Sequence, residues 1–70
     1  MNQCEKIKEY INRFGSISTM EAFRDLGITR LGARIMEIER QGTPIARTTE
    51  YAKNRFDEKV HYTRYSFAEV

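Results

Sequence analysis

The sequence predicts an α+β fold, mainly helical, in which three helices precede a two-stranded β-hairpin. Three observations carry this. Apolar residues recur at helical spacing as far as Ile38. Gly15, Gly27 and Gly42 stand just after the three periodic runs, where a left-handed residue ends a helix. Beyond Pro44, which forbids a return to helix, the composition turns to β-branched and aromatic residues.

The first helix spans about 3–14. Asn2 is placed to cap it, and Cys4, Ile7, Tyr10, Ile11 and Phe14 form one amphipathic stripe. Ser16 and Ile17 leave room for a very short extended piece. Ser18-Thr19-Met20-Glu21 then reads as a capping box, in which Ser18 and Glu21 satisfy each other's amides. The second helix therefore spans about 19–26, with Met20, Ala22, Phe23 and Leu26 on its buried face. Gly27 supplies the positive φ of a tight turn.

Ile28 reads as a buried turn residue and Thr29 as the N-cap of a third helix over about 29–41. The inner stripe of that helix is Leu31, Ile35 and Ile38. Its outer face, centred on Ala33, carries Arg30, Glu37 and Arg40, with Arg34 on the flank. Gly32 costs about 1 kcal/mol relative to alanine inside a helix, which a close approach by another backbone would explain. The hairpin covers about 45–67, with a charged tip at Lys53-Asn54-Arg55-Phe56-Asp57-Glu58. Alternation puts Tyr65 and Phe67 on the core side and Val60 and Tyr62 on the exposed side. Tyr10, Phe14, Phe23, Tyr65 and Phe67 are expected in the core. Tyr51 and Tyr62 are candidates for an exposed pair that seals a dimer.

Seventy residues make one small domain, 1–70, whose interior is marginal. The single cysteine, Cys4, rules out an internal disulfide, and one histidine, His61, leaves no zinc set. No catalytic residues, metal or cofactor are expected, since there is no carboxylate pair, triad or glycine-rich phosphate loop. Reduced cysteine usage and the lack of a signal peptide or long apolar run point to the cytoplasm and away from membranes. A small-molecule substrate is not expected either.

The net charge is only +2, but its distribution is informative. Lys6, Lys8, Arg13 and Arg24 balance Glu5, Glu9, Glu21 and Asp25 before Ile28. Beyond Arg47, Lys53, Arg55, Lys59 and Arg64 balance Glu50, Asp57, Glu58 and Glu69. The whole excess lies in between, where Arg30, Arg34, Arg40 and Arg47 face Glu37 and Glu39. Arginine's planar fork suits phosphates and guanine edges.

Three helices and a hairpin, with a glycine turn between helices two and three, are the winged form of the helix-turn-helix. Such an architecture lays helix three in the major groove of double-stranded DNA and offers the N-terminus of helix two to a phosphate. The candidate DNA-contacting residues are therefore Ser18 and Thr19 on helix two, and Thr29, Arg30, Ala33, Arg34, Glu37 and Arg40 on helix three. Lys53, Asn54, Arg55 and Lys59 join them from the wing, toward phosphates or a minor groove. A module this small buries roughly 600–1,000 Å² on DNA, so a homodimer or tandem binding is expected. The same arginines also fit a solvated face paired with Glu37. The low net charge and the glutamates of helix three leave a protein partner as the alternative to DNA.

Residues 10–18 (Tyr-Ile-Asn-Arg-Phe-Gly-Ser-Ile-Ser), 21–31 (Glu-Ala-Phe-Arg-Asp-Leu-Gly-Ile-Thr-Arg-Leu), 33–35 (Ala-Arg-Ile) and 53–56 (Lys-Asn-Arg-Phe) resemble small helix-turn-helix proteins encoded by bacteriophages and prophages. The resemblance implies a winged-helix DNA-binding fold and a regulatory role in a mobile element. Two positions depart from it. Asp57 stands where the wing turn calls for glycine, and Gly32 stands where alanine or serine is usual.

Overall fold

A computed structural model describes residues 1–68. Its elements are α1 (Gln3–Phe14), β1 (Ile17–Ser18), α2 (Thr19–Leu26), α3 (Leu31–Arg40), β2 (Ile45–Lys53) and β3 (Lys59–Phe67). The hairpin is not two-stranded in isolation. β1 pairs with β3, giving an antiparallel sheet in the order β1-β3-β2. Ile17 lies opposite Tyr65 and Ser18 opposite Arg64, while the β2–β3 register runs from Ile45–Phe67 to Lys53–Lys59. The wing is thus anchored through β1 to the start of α2.

Local chemistry sets most helix ends. The Asn2 side chain accepts from the Glu5 amide at 2.8 Å, and the Glu5 carboxylate returns a bond to the Asn2 amide. Ser18 and Glu21 form the second capping box, with the Ser18 amide donating to Glu21 Oε1 at 2.9 Å. Gly27 takes φ 70°, and the amides of Gly27 and Ile28 close the turn on the carbonyls of Phe23 and Ala22, each at 3.0 Å. The third helix starts later than its sequence suggests. Its N-cap position falls on Arg30, with no side-chain cap, and not on Thr29. Ile28 and Leu31 are both buried, so the two residues between them arch outward to solvent.

The interior is aliphatic: Ile7, Ile11, Ile17, Ala22, Ile28, Leu31, Ile35 and Ile38 are almost fully buried, with Cys4 and Ile45 beside them. Tyr10, Leu26 and Tyr65 pack against this cluster from outside. Phe14, Phe23 and Phe67, expected in the core, are instead exposed, and so is Met20. Geometry explains α2: Ala22 and Leu26 share one row, one turn apart, while Phe23 lies about 100° round the helix and Met20 further still. Phe14 sits in the last turn of α1, where its ring lies tilted against Tyr10, the ring centres 4.7 Å apart. Val60 and Tyr62 are exposed, as the alternation predicts. Tyr51 and Tyr62 do not form a pair, because their cross-strand partners, His61 and Glu50, put them on opposite faces of the hairpin.

Candidate nucleic-acid interface

The accessible face of α3 is rotated from the one its sequence suggests. Gly32, Met36 and Arg40 are exposed, whereas Ala33, Arg34 and Glu37 are half-buried. The first turn of α1 is the cause. The Cys4 thiol lies 3.4 Å from Glu37 Oε2 and 3.9 Å from the Arg34 carbonyl, covering that flank. Burial, then the Glu37 carboxylate, pushes the Cys4 thiol above its ordinary value. The centre of the open face is therefore Met36 and not Ala33. Gly32 faces open space, since a Cβ there would meet nothing within 4 Å. Among the described residues, no backbone outside its own helix comes within 4 Å of that position.

The four arginines of the basic segment divide into two pairs. Arg34 Nη2 lies 3.2 Å from Glu37 Oε1, and its buried Nε finds no partner among the described residues. Arg47 grips Glu39 with both terminal nitrogens, at 2.7 and 3.1 Å, and lies over the Tyr65 ring. That grip holds the Glu39 carboxyl below the usual carboxylate range. Arg30 and Arg40 are exposed and make no ion pair among the described residues. They stand at the two ends of the open face, about 15 Å apart along a ten-residue helix, with Gly32 and Met36 between them.

The N-terminus of α2 contributes unevenly. Ser18 is 3% exposed and its hydroxyl is committed to the Glu21 amide, while Thr19 is open to solvent. Beside it, a cleft of about 480 Å³ separates α2 from β3, lined by Thr19, Met20, Glu21, Arg24, Tyr62 and Arg64. Arg64 bridges this cleft. Its Nη1 donates to Glu21 Oε1 at 2.7 Å and to Ser16 Oγ at 3.1 Å, and its Nε donates to Glu50 on β2. Burial opposes the charge of Arg64, but the two carboxylates outweigh it and strengthen its hold on the proton. Burial likewise works against the Glu21 carboxylate, yet the Ser18 amide and Arg64 together hold it below the usual range. No sequence signal marks this contact, because its partners are far apart in the chain.

At the wing tip, Asn54 Oδ1 accepts from the amides of Phe56 and Glu58 at 2.9 and 3.0 Å. Asp57 takes the left-handed conformation, φ 62°, where a glycine was expected. Lys53 pairs with Asp57 at 3.3 Å, and the Lys59 ammonium lies 4.6 Å from the centre of the Tyr51 ring. Arg55 is exposed and unpaired among the described residues, and Phe56 beside it is 84% exposed. Met36 and Phe56 share a signal that could have found them: each is an apolar residue lying off every core stripe.

No group of three or more His, Cys, Asp or Glu among the described residues could hold a metal ion. No described helix is long and apolar enough to cross a membrane. The model of a family described as a winged helix-turn-helix domain matches residues 2–70. No curated protein and no solved structure was found to match the chain. With a glycine turn joining α2 to α3 and a hairpin anchored beside them, the chain belongs to the winged helix-turn-helix domain family.

Proposed function

We propose that residues 1–70 form a single non-enzymatic domain that binds double-stranded DNA sequence-specifically, as a transcriptional regulator or architectural factor of a phage or prophage. α3 enters the major groove and the wing lies on the adjacent backbone. The observation that carries this reading is the open face of α3, where Arg30 and Arg40, unpaired among the described residues, bracket Gly32 and Met36. A helix without a Cβ at one exposed position can sink closer to base edges, and the flanking guanidiniums reach phosphates or guanines. Thr19 at the start of α2 and Arg55 at the wing tip are also exposed. A bacterial cytoplasm, with association to the nucleoid when bound, is the compartment this function requires.

Gel retardation of a random-sequence duplex as salt is raised tests the reading. Affinity is expected to fall steeply with salt, as counterions are released from the duplex. Absence of any retardation at low salt would overturn it.

A second reading rests on the groove of about 350 Å³ between α1 and the end of α2, lined by Met1, Tyr10, Phe14 and Leu26 together with the charged Lys6, Glu9, Arg13 and Asp25. Its exposed Phe14 suits a protein partner or a second copy of the chain. Sedimentation equilibrium of the wild type and of Phe14→Ser distinguishes a dimer from a monomer.

A further inference from the structure

Phe56 is the most exposed large apolar side chain among the described residues, and it is presented by a rigid turn. Four hydrogen bonds donated by backbone amides brace that turn. Asn54 Oδ1 holds the amides of Phe56 and Glu58, the Asp57 amide donates to the Asn54 carbonyl at 3.1 Å, and the Asn54 amide donates to the Glu58 carbonyl at 3.0 Å. The turn also keeps Asp57 in a left-handed conformation, a geometry that costs a non-glycine residue free energy. The backbone on both sides of the ring is thus fixed, and the ring projects into solvent.

The neighbourhood narrows what such a ring can meet. Asn54, Arg55, Asp57 and Glu58 are all polar and exposed, so no apolar patch surrounds it. One aromatic ring buries at most about 250 Å², less than the contiguous patch typical of protein docking. Asp57 pairs with Lys53, and the Glu58 carboxylate accepts from the Asn54 side-chain amide while keeping its charge. Arg55, beside the ring, pairs with neither acid and makes no ion pair among the described residues. A lone apolar side chain next to such a cation matches the wedge that unstacks one base step from the minor groove while a neighbouring guanidinium holds a phosphate.

We infer that Phe56 is such a wedge, inserted at a single base-pair step of the duplex that α3 binds. The inference rests on the DNA-binding reading. It adds that the bound duplex is kinked and that flexible steps are favoured under the wing.

The test uses the full chain and a duplex that the wild-type protein retains from a random-sequence pool, with 2-aminopurine placed at successive positions. Binding is expected to raise the emission several-fold at one step. Phe56→Ala should lose that rise and weaken binding about tenfold, as loss of one stacked contact does, without changing the salt slope. Phe56→Leu should retain both properties, and circular dichroism should show both variants folded. If the wild type binds but no position brightens, or if Phe56→Ala matches the wild type in either readout, the wedge is overturned while DNA binding stands. If the wild type retains no duplex at low salt, the DNA-binding reading itself fails and the wedge falls with it.

Discussion

Arg64 Nη1 lies 2.7 Å from Glu21 Oε1, so a strand of the wing is tied ionically to the capping box of α2. Both side chains are only about a quarter exposed, and Arg64 also reaches Glu50 and Ser16. Arg64→Met should lower stability by about 2 kcal/mol, the scale of charged hydrogen bonds lost from a partly buried site. In a domain this small that is roughly 10 °C in Tm, which thermal melts would measure. Arg64→Lys should restore less than half, because one ammonium cannot reproduce a guanidinium fork directed at two carboxylates.

The same contact makes stability depend on acid. Glu21 is held below the ordinary glutamate range when folded, so its unfolded form binds a proton first as pH falls. The stabilisation is fully present above the ordinary glutamate range. It declines as pH drops below that range and is gone once pH passes below the lowered folded value. Glu21→Gln should flatten this part of the curve in urea titrations run across the acidic range. A wild-type slope in the variant would assign the dependence to other carboxylates.

Asp57 occupies a left-handed position that glycine takes without steric cost. Asp57→Gly forfeits an exposed pair with Lys53, a kind of contact worth little. The exchange should therefore raise stability by up to about 1 kcal/mol. Asp57→Val should lower it, since a β-branched residue tolerates this conformation poorly. Thermal melts of the two variants should move in opposite directions.

The arginines of α3 should separate functionally as they separate structurally. Arg30→Ala and Arg40→Ala should each reduce the slope of log affinity against log salt by roughly 1, as expected for loss of one phosphate contact. Arg34→Ala and Arg47→Ala should leave the slope close to that of the wild type, because Glu37 and Glu39 already engage these side chains. Equal effects from all four would mean that the intramolecular pairs open on binding.

What was legible in the sequence was local. Asn2, the Ser18–Glu21 box and the Gly27 turn each act within a few residues, and the spacing of Leu31, Ile35 and Ile38 reports the buried side of α3 directly. The open side could not be read in the same way. Which flank of α3 stays exposed depends on where Cys4 lands, and that is decided by packing between helices distant in sequence. The aromatic residues misled for a related reason. A narrow interior is filled by isoleucines, and Phe14 and Phe23 are left on the flanks of their helices. Arg64 entered the sequence reading only as one charge in a balanced segment, because its carboxylate partners come from α2 and β2.

An aliphatic interior also determines what light absorbed by this protein reports. The chain has no tryptophan, and none of its tyrosines lies within the buried cluster. Tyr51 and Tyr62 sit on opposite faces of the wing, and Tyr65 lies at its root. Intrinsic ultraviolet emission is therefore weighted toward the hairpin, and a ligand laid along the wing should quench it while the helices stay intact.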